Sequence, residues 1–293
     1  MNHYFFKFGK ANDFFKESNN IQNDSLAPLS LSIFFNKYKS WTVEDYYVDK
    51  RAVNRGEDSG QISTFFDAAN NRDTVFWLFF EDFIYALIPQ SEVYNGTITE
   101  AMDKAEYGQP KAVNVTIFKK IDKKGLPEAF ASINSYQKYN RRTIVKLEKE
   151  EEEIAEWVYT HSDSICKMLI IKDRRFFYLS PLQFETLIFL IFHHNNIFCT
   201  TYRGGTLEGV DFKLRTQKEV SIEGMQLNDN IYVQVKKDNC PHLPLKNGII
   251  LVHLGKSFPD KHIYGLDWIE FCLRKLPGVE NWLIVSLDFF SVV

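Results

Sequence analysis

Cysteine is scarce. The four are Cys166, Cys199, Cys240 and Cys272. No two lie close enough for a Cys-x-x-Cys pair, which excludes a zinc ribbon and a dithiol redox centre. Scattered single cysteines suit a reducing compartment, where they act as small buried apolar side chains. Long apolar runs are absent as well. Even the longest, such as Leu187 to Phe192, fall far short of the ~20 residues that span a bilayer. The opening residues, Met1 to Lys7, lack the charged-then-apolar layout of a signal peptide. The expectation is a cytoplasmic chain. A dominant charge sign is missing too: 35 Lys+Arg stand against 38 Asp+Glu, a net of −3. That excludes a uniformly basic nucleic-acid coat but leaves room for a local basic cleft.

Aromatic residues are abundant, with 26 Phe, 14 Tyr and 5 Trp. Such a chain has ample material for a core and does not stay disordered. At roughly 100–200 residues per domain, 293 residues predict two domains.

The first, 1–150, reads as β-rich. The runs 74–80 and 83–88 are strand-like, and the polar pair Glu81-Asp82 fits a tight hairpin between them. Alternation predicts further strands at 112–118 and 142–147. Several short strands with polar connections suggest a small barrel or curled sheet. The segment from Lys111 to Lys146 carries nine Lys/Arg and two acids, a local net of +7. Its Lys119, Lys120, Lys123, Lys124, Arg141 and Arg142 are candidates for DNA phosphate contacts. A solvated sheet surface is the alternative. Trp41, Trp77 and Tyr85 are candidates for stacking on an extruded base. Six Glu between Glu148 and Glu156 open a solvated helix, and the domain boundary is expected at about 150–165.

The second domain, 160–293, reads as α/β. Ser180-Pro181-Leu182-Gln183 combines a Ser N-cap, Pro at the first helical position and Gln three residues after the cap. A helix should run from Pro181 to His193 or His194. A loop with Gly204, Gly205 and Gly209 leads to an alternating segment at 210–214. Strands are predicted at 167–171, 231–236, 248–253 and 282–287, with an extra one near Val220–Ile222 and a helix over 266–276.

Chemistry converges in this half. Side chains alternate across a strand, so Gln234 and Lys236 share a face, roughly 7 Å apart. If 210–214 pairs antiparallel with 231–236, Asp211 faces them. Glu185 lies on a helix that is apolar nearly all round, where an ionised carboxylate needs a partner, a metal or a cavity. It also suits the positive end of the helix dipole. Two carboxylates, an amide and a lysine fit metal-assisted phosphodiester hydrolysis. Asp211 and the Val235 carbonyl would offer hard oxygens to Mg²⁺, and Lys236 would stabilise charge or handle the attacking water.

Asp211, then Gln234-Val235-Lys236, preceded by a capped helix with Phe184-Glu185, resembles the Mrr-like restriction endonucleases of the PD-(D/E)xK superfamily. The likeness covers roughly 165–293. It implies a restriction-endonuclease-like mixed sheet flanked by helices, Mg²⁺-dependent DNA cleavage, and functional roles for Glu185, Asp211, Gln234 and Lys236. The expected protein is a restriction endonuclease whose β-rich, barrel-like first domain selects a sequence or a modified base. Its expected partners are double-stranded DNA, a second copy of the chain and a cognate methyltransferase. Two alternatives stand beside it: an inactive DNA-binding module on a nuclease fold, and an RNA- or structure-specific nuclease.

Overall fold

The computed structural model describes residues 1–8, 29–34, 41–53, 59–98, 100–104, 106–136, 139, 142–161, 167–202, 210–216, 219–227, 231–237 and 249–293. The chain divides into two compact units, Met1–Cys166 and Lys167–Val293. Both combine strands and helices. Among the described residues no single helix is long and apolar enough to cross a membrane.

Among the described residues the first unit is built on seven strands: β1 (Asn2–Phe6), β2 (Leu29–Ile33), β3 (Thr74–Phe80), β4 (Phe83–Pro89), β5 (Tyr94–Asn95), β6 (Lys111–Asp122) and β7 (Ile144–Lys146). Their order is β2-β6-β4-β3-β1-β7, with β5 also on β6. The β3–β4 hairpin turns at Glu81-Asp82, with Glu81 at φ +50°. The central strands were not all evident from sequence. β1 pairs parallel with β3, a contact between segments some seventy residues apart.

Helices account for more of this unit than its β-rich reading implied. They are α1 (Val43–Val48), α2 (Lys50–Val53), α3 (Ser59–Ala69), α4 (Glu100–Lys104), α5 (Glu128–Ala131) and α6 (Lys149–Thr160). α1 opens on a capping box between Thr42 and Asp45. On one sheet face, Phe65 and Phe66 of α3 join Phe6, Phe76, Leu78 and Tyr46 in a buried cluster. On the other, Trp77 and Phe79 pack against Phe130 of α5, and Phe5 against Tyr139. A strand covered on both faces reads as a continuous apolar run, as Thr74–Phe80 does. Among the described residues the strands form an open path ending at β2 and β7, so the barrel-like closure does not form there. The acidic helix α6 lies within this unit.

The second unit holds β8 (Met168–Ile170), β9 (Phe198–Tyr202), β10 (Phe212–Arg215), β11 (Val220–Ile222), β12 (Met225–Leu227), β13 (Ile231–Lys236), β14 (Ile249–His253), β15 (Ile263–Tyr264) and β16 (Phe290–Val292). Five form a mixed sheet in the order β15-β14-β13-β10-β9. β10 runs antiparallel to both its neighbours, β9 and β13, whereas β13, β14 and β15 run parallel. β11 and β12 form the expected extra strand as a separate hairpin, and β8 pairs with β16.

Among the described residues three helices complete this unit: α7 (Pro181–His194), α8 (Leu266–Lys275) and α9 (Pro277–Ser286). α7 starts as its sequence dictates. Ser180 Oγ accepts from Gln183 N at 3.0 Å, and Gln183 Oε1 accepts from Ser180 N at 2.8 Å. A cap of this kind contributes about 1 kcal/mol. The segment 282–287 is not the expected strand but mostly the end of α9. Its short apolar run is compatible with either state. Pro277 at the first helical position and buried Val279 and Leu283, four residues apart, decide for helix.

Candidate functional site

The register of β10 against β13 sets the geometry. Phe212 lies opposite Val233, and Asp211 N donates to Val233 O at 2.9 Å. The ladder ends there, so the next inward-facing amide of β13, that of Val235, has no strand residue beside it. The Asp211 side chain takes that place: Val235 N donates to Asp211 Oδ2 at 2.7 Å. Asp211 Oδ1 makes no hydrogen bond among the described residues. The N–H and C=O of one strand residue point to the same side. The Val235 carbonyl therefore shares this edge with the carboxylate.

Burial along β13 alternates strictly. Ile231, Val233 and Val235 are buried; Tyr232, Gln234 and Lys236 are half-buried on the opposite face. Gln234 and Lys236 thus share a face. Neither side chain forms a hydrogen bond or ion pair among the described residues.

Glu185 belongs to the covering helix. Phe189 of α7 packs on Phe212, with ring centroids 6.4 Å apart, so α7 lies against the apolar face of the sheet. A three-residue connection, 195–197, ties its C-terminal end to the start of β9. Glu185, near the opposite end of the helix, is therefore carried toward the sheet end where β9 finishes and Asp211 opens β10. It is half-buried and makes contacts of its own. The structure brings Asp211 and Val235 together at the strand edge, sets Gln234 and Lys236 on the half-buried face of the same strand, and carries Glu185 on the helix over the opposite face. The glycine-bearing loop 203–209 lies outside the described residues.

The donor chemistry suits Mg²⁺ in part. One carboxylate oxygen and one backbone carbonyl are hard ligands at one edge, and Mg²⁺ commonly completes its shell with waters and substrate phosphate. Among the described residues no group of three His, Cys, Asp or Glu could hold a metal ion. A cation here would be shared with the substrate rather than caged by protein.

His253 was not singled out from sequence. It lies beside Lys236 in parallel register, on the same face, and is fully buried. Gly255 N donates to its Nδ1 at 3.2 Å, which leaves Nε2 to donate to Lys256 O at 3.2 Å. Both nitrogens are used by a neutral ring, which fixes the turn leaving β14. The one signal in the sequence is a lone polar residue closing an apolar strand.

The basic segment of the first unit is less uniform than its charge suggests. Lys111 is 1% exposed, lies 4.6 Å over the Trp41 ring and donates to Gln109 O. Burial pulls its pKa down to about 8, against the opposing pull of Asp45 and Glu44. Lys119 donates to the carbonyls of Val158 and Tyr159 and so closes the end of α6. Lys123 donates to Glu81 O, and partial burial lowers its pKa. Lys120, Lys124 and Arg142 are exposed, with Lys120 Nζ 4.3 Å over the Phe83 ring. Arg141 lies outside the described residues.

The stacking candidates are largely core. Trp77 is fully buried and donates from Nε1 to His3 Nδ1 at 3.0 Å; Tyr85 is 3% exposed. Both sit on central strands of a sheet covered on both faces, and neither reaches a base. Trp41 is half-buried against Tyr46 and Phe66.

Comparison with protein-family models, with curated proteins and with solved structures finds no match.

Proposed function

We propose that this chain is a Mg²⁺-dependent DNA endonuclease of restriction type. The second unit hydrolyses the phosphodiester bond on a restriction-endonuclease-like core, and the first selects the target. The observation that carries the reading is the Asp211–Val235 contact. It joins a carboxylate to the strand bearing Gln234-x-Lys236, at the edge where a backbone carbonyl is also offered. The helix with Phe184-Glu185 over the same sheet agrees with the Mrr-like pattern.

In this reading Asp211 and the Val235 carbonyl would hold Mg²⁺, which would supply charge neutralisation and a water of lowered pKa. Lys236 orients the attacking water or stabilises the charge growing on the phosphate. Gln234 hydrogen-bonds water at the same face. Glu185 is reserved for positioning at that sheet end. Lys120, Lys124 and Arg142 give the first unit sequence-independent grip on the phosphate backbone. One site per chain cuts one strand, so duplex cleavage calls for two copies. A cytoplasmic enzyme of this kind works beside a cognate methyltransferase.

The test is digestion of modified and unmodified supercoiled plasmid with Mg²⁺ and with chelator. The reading expects nicking or linearisation that chelator abolishes. Salt-sensitive binding without any cutting would overturn it in favour of a DNA-binding module. That second reading draws on the single carboxylate at the strand edge and the lack of a three-residue metal group among the described residues.

A further inference from the structure

A second concave site lies in the same unit, built from the β11–β12 hairpin, the segment after β14, and α8. It encloses about 230 Å³ and is lined by Glu223, Ser257, Pro259, Tyr264, Asp267, Trp268 and Phe271. Pockets for drug-sized ligands start near 300 Å³, so this one is sized for a side chain or a small amine. It has no part in the strand edge described above.

Its walls are aromatic and its polar groups are acidic. The Tyr264 and Trp268 rings lie 5.6 Å apart at 58°, and Phe271 forms a more exposed lip at 42%. Trp268 Nε1 donates to Ile222 O at 3.2 Å, which ties the hairpin to α8. The hairpin turns through left-handed Glu223 and Gly224, at φ +49° and +81°, and this brings Glu223 to the pocket. Asp267 is held from behind: Ser257 N and Oγ both donate to its Oδ1. Its Oδ2 makes no hydrogen bond among the described residues. The lining includes no Lys, Arg or His.

Two further observations point to a ligand. Tyr264 lines the pocket, and its hydroxyl, which is open to solvent, makes no hydrogen bond to protein among the described residues. Lys275, at the rim, already shows the recognition chemistry. Its Nζ lies 2.6 Å from Glu223 Oε1 and 4.5 Å from the Phe271 ring centroid. A carboxylate and a ring face together hold an ammonium there. With Glu223 neutralised by Lys275, one negative charge, that of Asp267, remains.

We propose that this pocket binds a primary alkylammonium group. The alkyl stem packs on Trp268 and Phe271, and the ammonium donates to Asp267 Oδ2 and the Tyr264 hydroxyl. Anionic ligands are rejected by the Asp267 carboxylate, and a neutral alcohol leaves its charge unanswered. A lysine side chain and a free diamine present the same group.

The test follows the Trp268 indole N–H by NMR in the full chain, identified by its loss in Trp268→Phe. The probes are butylammonium, butanol, Nα-acetyl-lysine amide and 1,4-diaminobutane. The proposal expects a saturable shift with butylammonium and none with butanol at up to about 50 mM, the weak end of recognition. A tighter response to the lysine amide assigns the site to a protein side chain, and a tighter response to the diamine assigns it to a free amine. Asp267→Asn keeps the acceptor for Ser257 and should weaken butylammonium about fivefold or more; Lys275→Gln frees Glu223 and should tighten it about two- to fivefold. Equal responses to butanol and butylammonium, no saturable response, or an Asp267→Asn variant that binds as well as the parent would each overturn it.

Discussion

Replacing Asp211 by Asn and by Ala separates two roles that one carboxylate combines. Oδ2 receives the Val235 amide at 2.7 Å where β10 has run out. A hydrogen bond to a charged group is worth about 1.5–3 kcal/mol, and a neutral one about 1 kcal/mol. Ala removes the acceptor altogether, leaving the amide to water at a half-buried edge. That should cost about 1–2 kcal/mol of local protection, a five- to thirty-fold faster exchange of the Val235 amide hydrogen. Asn offers its own oxygen to the same amide and should lose a few-fold at most. The charge, however, is gone in both variants, and with it the hold on Mg²⁺. The account expects graded amide exchange, parent slowest, Asn intermediate and Ala fastest, with DNA cleavage absent from both variants. Amide-resolved hydrogen exchange checks the first part. Indistinguishable Val235 exchange in all three proteins would refute the strand-edge argument, and full cutting by Asp211→Asn would refute the metal role.

Other outcomes follow from the same structure. His3 is buried, donates to Glu156 and accepts from Trp77, and burial holds its pKa below 6.5. The unfolded chain therefore takes up a proton that the folded one resists. Stability of the first unit should fall as pH drops below 6.5. Glu156, whose pKa is lowered chiefly by its bond to His3, extends that loss below 4.5. A His3→Leu variant with an unchanged melting slope between pH 6.5 and 5 would contradict this. Ala at Gly265 would bring its Cβ to 2.0 Å from Gly255 O. Backbone must move, and thermal unfolding should show a loss of about 3 kcal/mol or more in the second unit. Neutralising Lys120, Lys124 and Arg142 together should lower the salt dependence of DNA binding by about three in log–log slope. Lys119→Ala should instead destabilise the end of α6 by about 0.5–1 kcal/mol and leave the slope unchanged.

Local chemistry was legible where it decides structure by itself. The Ser180-Pro-x-Gln183 cap and the Glu81-Asp82 hairpin stand where the sequence puts them. The alternation of β13 and its antiparallel pairing with β10 were legible too, and they carry the candidate site. What was hidden depends on distant partners. Asn2–Phe6 reads as mixed polar-aromatic, yet it becomes a strand buried between β3 and β7 because both faces find cover. Residues 282–287 form helix because Pro277 starts one and the chain packs it. Charge counting likewise could not see that Lys111 is buried beneath Trp41, or that Lys119 is committed to carbonyls. Nor does a lone His253 announce that it fixes the turn beside Lys236.

The most direct measurement is single-turnover cleavage of end-labelled duplex DNA by the parent chain and by Lys236→Ala, with Mg²⁺ or with chelator. The account predicts strand scission by the parent only when Mg²⁺ is present, and none by the variant although it still binds the duplex. Cleavage that survives either chelation or the loss of Lys236 would contradict it.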